Sequence, residues 1–343
     1  MWLAVVAILI GLAILVWSAD VFIEGATALA KKLGVPSFLI GVLILGLGTS
    51  APEMVVSVLA AIDGSPELAL GNAYGSNIMN IALVLGLTVL ISPIIIHKSI
   101  VARDLPILLL ITALAAWQLR DGFLSLADGV FLLILLMLVL GVQIFFSMGD
   151  NQTDAEQAHA HKESLSLENN STSQHGMKDS TEAGYIEPSI SRGFASLFIG
   201  MLMLVLGSRA IVWGAVELAT FWGLSELIIG LTIVAVGTSL PELVASLAAA
   251  RHGEHDMALG NIIGSNMFNT LGVVGLAALI APIEANPLIL SRDISMVSIL
   301  TVLLFVLCTF AYLTQRKFGR LSGGALLMCF VGYTIWLIKT INM

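Results

Sequence analysis

Charged residues are scarce in this sequence. Lys, Arg, Asp and Glu together make up 11% of the 343 residues, while 58% are hydrophobic; an ordinary soluble domain has about a quarter charged and about half apolar residues. The mean hydropathy is +0.99, and apolar runs of membrane-spanning length recur along the chain. This composition excludes a soluble enzyme and indicates a protein that crosses a lipid bilayer several times.

Cysteine is also rare, and basic charge is not in excess. The two cysteines, Cys308 and Cys329, lie inside apolar runs, which predicts small core residues rather than a disulfide framework. The net charge of −8 comes largely from acidic residues in the polar stretch 148–190, so the overall charge gives no information about nucleic acid, and we expect no nucleic-acid partner.

Ten apolar segments are long enough to span a bilayer. Lys and Arg are concentrated in alternate loops, and such an excess marks the cytoplasmic side of a membrane protein. We therefore expect an integral membrane protein with both termini outside and the stretch 148–190 in the cytoplasm. The predicted spans are 2–30, 36–62, 67–92, 101–118, 126–147, 191–219, 225–250, 257–281, 294–314 and 322–340.

The stretch 148–190 differs in composition from the rest of the chain. It is rich in Ser, Asn, Gln and Glu and nearly free of aromatic residues, so it buries too little apolar area to fold by itself. We expect a flexible cytoplasmic linker here, between a first membrane domain, 1–147, and a second, 191–343.

An internal repeat relates these two domains. A shift of 189 residues aligns GTS-x-PE, GN-x-x-GSN and an Arg-Asp pair of the first half with their copies in the second half, without a gap. Each half has five predicted spans, and this odd number places the second copy upside down in the membrane. Inverted repeats of this kind are typical of secondary transporters, whose substrates bind near the midplane.

Each half also places one carboxylate in the middle of an apolar span. Glu53 lies in GLGTSAPEMVVS and Glu242 in AVGTSLPELVAS. An acidic residue at the centre of a membrane helix costs roughly 2.5 to 3.5 kcal/mol on insertion scales, and the neighbouring motif spans hold no basic residue at this depth. A bound cation is the simplest partner for these two charges.

A proline stands directly before each of these glutamates. Pro52 and Pro241 have no N–H, so the carbonyls of Gly48 and Gly237 lose their helical partners. Interrupted helices at membrane depth are tolerated where they line a cavity, and their free carbonyls can face ions. The two prolines therefore predict loosened helices beside the carboxylates.

Residues with neutral oxygen atoms recur near both glutamates in the sequence. Polar residues recur every four positions along one helix face in both motif spans and in the spans that follow them. Oxygen ligands without thiolate or imidazole suit a hard cation such as calcium, whereas zinc or copper would call for Cys or His. The two stripes of the first half are Thr49, Glu53, Ser57 and Asn72, Ser76, Asn80, and those of the second are Thr238, Glu242, Ser246 and Asn261, Ser265, Asn269.

At these motifs the sequence resembles the sodium/calcium exchanger branch of the calcium/cation antiporter superfamily, in its compact prokaryotic form. The resemblance implies an all-α membrane protein of ten helices in two inverted five-helix repeats, a transporter rather than an enzyme, with no cofactor and four ion subsites between the motif helices. The ligands it implies are Glu53, Glu242, Thr49, Ser50, Thr238, Ser239, Ser76, Asn80, Ser265 and Asn269, with the carbonyls of Gly46 and Ala235.

The resemblance further implies a mechanism, in which sodium and calcium compete for overlapping oxygens while the first and sixth helices slide across the core. Asn269 stands where some relatives have an aspartate, which leaves ion stoichiometry and potassium dependence open. The oligomeric state is open as well. Two alternatives remain at this point: a proton/calcium exchanger on the same scaffold, with Glu53 or Glu242 carrying protons, and a passive cation channel.

Overall fold

The computed structural model describes residues 1–146, 190–222 and 235–341. Within these residues, nine helices are long and apolar enough to cross a membrane. The predicted seventh span, 225–250, is described only from residue 235 onward, and the predicted linker lies almost entirely outside the described residues. The helices are α1 (Trp2–Leu33), α2 (Ser37–Ile62), α3 (Glu67–Ile91), α4 (Ile100–Asp121), α5 (Leu126–Phe146), α6 (Ile190–Phe221), α7 (Ala235–Thr238 and Leu240–Arg251), α8 (His255–Ile280), α9 (Ile289–Leu313) and α10 (Arg320–Ile341).

The helices form a buried centre with a more exposed surround. Among the membrane-length helices, α8 is the most buried and α3 follows it, while α10, α1, α5 and α6 expose most of their apolar side chains. The two cysteines are free, with Cys308 buried and Cys329 half-buried. The spans that carry the predicted ligands therefore occupy the interior, and the apolar spans around them present the surface that suits lipid.

The internal repeat is visible in local backbone geometry. The turns that follow α2 and α7 each contain a glycine in the left-handed region, and Gly64 and Gly253 both have φ 81°. These glycines are related by the shift of 189 residues, and each turn needs a residue that tolerates positive φ. Helix termination is thus encoded identically in both halves.

Short π-helical segments also recur in pairs within the spans. Met79–Leu85 in α3 matches Phe268–Val273 in α8, and Ile100–Asp104 in α4 matches Ile289–Ile294 in α9. A further segment, Gly41–Gly46, precedes the first motif in α2. Such π-helical turns in α-helices are frequent at functional sites, and the first pair contains Asn80 and Asn269.

Helices α1 and α6 pack closely through small residues related by the repeat. A Cβ added to Gly25 would lie 2.6 Å from the backbone nitrogen of Leu197, and one added to Gly214 would meet Ile8 at 2.8 Å. Leu197 and Ile8 correspond to each other under the same shift, as Gly25 and Gly214 do. These reciprocal contacts show that the two helices cross about a pseudo-two-fold axis.

The loops gather on two opposite faces of the bundle. On the linker face, Ile94 pairs with Phe318 as an isolated β-bridge; on the termini face, β1 (Phe123–Leu124) pairs antiparallel with β2 (Ile283–Glu284). The basic residues that the sequence assigns to one side lie at loops and helix ends of the linker face. The linker face carries the turns 34–36, 92–99, 252–254 and 314–319, and the termini face carries 63–66, 122–125 and 281–288.

Candidate ion-binding site

Glu53 and Glu242 both lie in the interior of the bundle. Their exposed fractions are 2% and 1%, and the helices that carry them, α2 and α7, contact each other. Within the described part of the chain, both carboxylate oxygens of Glu53 and the Oε2 atom of Glu242 have no hydrogen-bond partner. Buried charges without partners are very unfavourable, so this pair of carboxylates is suited to compensation by a cation.

The two proline motifs adopt different backbone conformations. Helix α2 continues through Pro52, whereas α7 is interrupted at Ser239, with φ −89° and ψ 6°, and Pro241 stands in the first turn of its second part. The predicted loosening at Pro52 is therefore wrong, because the φ that the proline ring imposes is itself compatible with a helix. The prediction holds for the second motif.

The carbonyl left free before Pro241 is used within the protein. The Ser208 hydroxyl of α6 donates a hydrogen bond to the carbonyl oxygen of Gly237 at 2.6 Å. This bond satisfies a buried acceptor that the proline cannot serve. It also joins α6 to the motif helix at the interruption.

Predicted ligands from opposite halves meet at Thr49. Its hydroxyl donates to the carbonyl of Leu45 at 3.0 Å and lies 3.3 Å from Oδ1 of Asn261 and 3.4 Å from the hydroxyl of Ser265. The Ser265 hydroxyl in turn donates to the Gly46 carbonyl at 3.4 Å. The first motif of one half therefore packs against the second polar stripe of the other, as a midplane site between inverted repeats requires.

Two asparagines position the motif helices. The Asn72 amide donates to the Glu53 carbonyl at 3.2 Å and to the Ser57 hydroxyl at 3.0 Å. Asn261 makes the same two bonds in the second half, to the Glu242 carbonyl at 3.3 Å and to Ser246 at 2.8 Å. Both asparagines belong to the repeated Gly-Asn pair, and the sequence pattern placed each of them in a polar stripe. The sequence did not distinguish this positioning role from ion binding.

Further polar atoms in the centre have no partner among the described residues. Both polar atoms of the Asn80 and Asn269 side chains, and the hydroxyls of Ser50 and Ser239, are buried without a hydrogen bond. Buried polar groups in proteins nearly always have partners, so this concentration points to a ligand. Among the predicted ligand positions, Thr238 is half-buried, and the side chain of Ala235 is outside the described residues. The other predicted ligand positions are all buried: Glu53, Glu242, Thr49, Ser50, Ser239, Ser76, Asn80, Ser265, Asn269 and Gly46.

A cavity of about 470 Å³ leads to Glu53 from the termini face. The matching positions on the linker side are closed: Val56 at the cavity is 47% exposed, whereas its counterpart Ala245 is 0% exposed, and Asn261 is likewise buried where Asn72 is only half-buried. Among the described residues, access to Glu53 is therefore open from the termini face. The cavity is lined by Pro52, Glu53, Val56, Asn72, Val205, Ser208, Arg209, Val212, Trp213, Val216, Gly237, Thr238 and Pro241.

Known proteins share both the sequence and the fold of this chain. The inner membrane protein YrbG of Escherichia coli (strain K12) is 37% identical over 337 residues, which cover 98% of this chain and 96% of the relative. The sodium/calcium exchanger MaX1 of Methanosarcina acetivorans is 30% identical over 358 residues, with 96% of each chain covered.

A solved structure of the sodium-calcium exchanger NCX_Mj, soaked with zero Na⁺ and Ca²⁺, superposes on this chain with a TM-score of 0.77 at 32% identity. The match covers 96% of this chain and 97% of that one. It confirms the predicted all-α membrane fold. The family model described as sodium/calcium exchanger protein matches residues 3–145 and 192–339, and the chain therefore belongs to the sodium/calcium exchanger protein family.

Proposed function

We propose that this chain is a secondary antiporter that exchanges sodium for calcium across the membrane by alternating access, with the ions bound between its two motif helices. The observation that carries this proposal is the pair Glu53 and Glu242, buried together with unpartnered oxygens where the two repeats meet. Family membership supplies the pair of ions, and an all-oxygen site with two negative charges matches one calcium ion or several sodium ions.

The ligands divide into charged and neutral oxygens. Glu53 and Glu242 neutralise the positive charge, and neutral side chains and carbonyls complete the coordination shell. Because the same carboxylates serve either ion, sodium and calcium compete for them, and binding of one displaces the other. The proposed neutral ligands are the side chains of Thr49, Ser50, Thr238, Ser239, Ser76, Asn80, Ser265 and Asn269 and the carbonyls of Gly46 and Ala235.

We further propose that the linker face is cytoplasmic and that both termini lie outside. The excess of Lys and Arg on the linker face supports this orientation by the positive-inside rule. The relative YrbG is an inner membrane protein, which supports the same membrane for this chain. In this orientation the cavity beside Glu53 opens to the outside, so the structure corresponds to an outward-facing state.

Calcium flux in reconstituted vesicles tests the proposal. We expect an outward sodium gradient to drive calcium uptake while the pH gradient is collapsed, and we expect no uptake when potassium replaces the internal sodium. Uptake that requires a pH gradient instead would contradict sodium coupling and favour proton/calcium exchange. Calcium efflux that needs no cation on the opposite side would contradict exchange and favour a channel.

A further inference from the structure

One contact between a carboxylate and an imidazole on the linker face joins α1 to the buried centre. Oδ1 of Asp20 in α1 lies 3.3 Å from Nε2 of His252, the residue that ends α7, and these side chains are 57% and 40% exposed. Helix α1 otherwise packs mainly on α6. This contact therefore ties the outer pair of helices to a motif helix on the side where the ion site is closed.

The inverted repeat supplies a counterpart of this contact on the termini face. The shift of 189 residues converts Asp20 into Arg209 of α6 and His252 into Asp63, the residue that ends α2. Asp63 and His252 occupy equivalent turns, since each precedes a glycine with φ 81°. Each face thus has one acidic and one basic residue at this position. On the linker face the acidic residue lies in the helix and the basic residue in the turn, and on the termini face the arrangement is reversed.

In this structure the counterpart contact is not made. Arg209 and Asp63 are both exposed, and neither has an ion pair within the described residues. Arg209 lines the cavity that leads to Glu53. Helix α6 also lies against α2 less extensively than α1 lies against α7, so the outer helices contact the centre unequally on the two faces.

A second pair of counterpart contacts behaves differently. His97 contacts Asp256 at 2.7 Å on the linker face. On the termini face, its counterpart Asn286 donates its backbone N–H to Glu67, the counterpart of Asp256, at 3.1 Å. Each contact joins a loop residue, His97 or Asn286, to the first turn of a helix other than α1 and α6, and both are formed at once. Of these two pairs of counterpart contacts, only the pair that involves α1 and α6 is therefore formed on one face and absent on the other.

We propose that Arg209 and Asp63 form an ion pair when the ion site opens to the linker face, and that this pair and the Asp20–His252 pair form in alternation. The inference rests on the proposed function, because an antiporter built from inverted repeats reaches its opposite state when the halves exchange conformations. Each pair then closes one side of the ion path. Exposed ion pairs are weak, which suits contacts that must break in every cycle.

Cross-linking of paired cysteines tests the alternation. Every pair considered has one residue in each half, so a protease site placed within 148–190 separates the halves unless a cross-link joins them. With Cys308 and Cys329 replaced by alanine, we expect a short bismaleimide to join Asp20→Cys to His252→Cys in ion-free vesicles. It should join Arg209→Cys to Asp63→Cys at least five times more efficiently under opposing sodium and calcium gradients than without ions.

The cysteine pair Glu67→Cys with Asn286→Cys is the control, and its yield should be the same in both conditions. If this control reacts and the parent protein transports calcium in the same vesicles, an unchanged yield for positions 63 and 209 overturns the alternation. Absence of calcium flux in the parent protein would instead contradict the proposed function. The two failures are therefore distinguishable.

Charge exchange provides an independent measurement. Arg209→Asp places like charges opposite each other, and we expect sodium-driven calcium uptake to fall about two- to five-fold, as the weakness of exposed ion pairs implies. Adding Asp63→Arg restores the opposite charges and should recover at least half of the lost rate. A double variant no faster than Arg209→Asp would contradict the ion pair, because a structural defect at Arg209 is not repaired from Asp63.

Discussion

The two halves of the molecule carry the same motifs, yet the structure gives them different conformations. Helix α2 runs unbroken through Pro52, while α7 is interrupted before Pro241. Asn72 stands beside an open cavity, while Asn261 is fully buried. The same motif thus meets two environments, one open and one closed. The difference teaches that the asymmetry arises from how the halves pack against each other, as alternating access requires.

We expect the two halves to be equivalent in how much their carboxylates contribute to transport. We expect Glu53→Gln and Glu242→Gln each to reduce sodium-driven calcium uptake by at least about 100-fold. Each change removes one unit of charge from a buried site, where the attraction of a cation to one charge is on the order of 4 kcal/mol. Calcium uptake into vesicles, at equal amounts of inserted protein, measures the effect.

Glu284→Gln is the matched control, because Glu284 is exposed in β2 on the termini face. It should leave uptake within about two-fold of the parent protein. Wild-type flux in both buried-site variants would contradict the assignment of the ion site. A loss in only one of them would show that the two halves share the charge unequally.

The two positioning asparagines, Asn72 and Asn261, test whether one half is open to water and the other closed. Asn261→Ala removes its two donated hydrogen bonds and the contact from Thr49 in a closed interior, whereas Asn72→Ala removes only the two equivalent donated bonds, beside the cavity, where water can replace them. Because an unmet buried hydrogen bond costs about 1 to 3 kcal/mol, we expect uptake at low calcium to fall about ten-fold for Asn261→Ala and about three-fold for Asn72→Ala. Equal losses would show that the cavity does not hydrate Asn72.

The Ser208–Gly237 bond exists in one half only, since Ala19 occupies the position equivalent to Ser208. We expect Ser208→Ala to lower the free energy of unfolding by about 1 kcal/mol, the typical net value of one hydrogen bond. The apparent melting temperature in detergent measures this change. Ser18→Ala is the control, because Ser18 bonds the Leu15 carbonyl of its own helix, and its melting temperature should decrease less.

The smallest effect is expected from the covalent connection between the halves. Deletion of residues 152–186 should leave calcium uptake within about two-fold of the parent rate, because the predicted ligands all lie outside this stretch. Vesicle uptake and the amount of inserted protein are measured together. Complete loss of transport in a protein that still inserts would show that the stretch does more than connect the halves.

Much of the fold could be predicted from sequence because each feature has a local signature. Apolar length defined the spans, and the boundary of α2, predicted as 36–62, is Ser37–Ile62 in the structure. The inverted arrangement followed from the fixed spacing between Glu53 and Glu242 together with an odd number of spans. Burial of both carboxylates also followed, because each lies in the middle of an apolar span.

The remaining features depend on contacts between distant segments. A proline at the same motif position interrupts one helix and not the other, and Ser208 reaches the free carbonyl only after α6 has packed against α7. Gly260 and Gly264 let α8 approach α2 closely, because a Cβ at either position would meet the backbone of Phe38 or Val42. The segment equivalent to these partners, for Gly71 and Gly75, falls outside the described residues.

The sequence by itself determined the membrane class, the repeat, the inverted halves and the residue types at the centre, because hydropathy and periodic motifs are properties of the chain alone. Only the tertiary structure decided which face is open, which asparagine is buried and which of the two counterpart contacts, Asp20–His252 or Arg209–Asp63, is formed. The motifs are the same in both halves, so these differences depend on contacts between distant segments, including those of α1 and α6 with the centre.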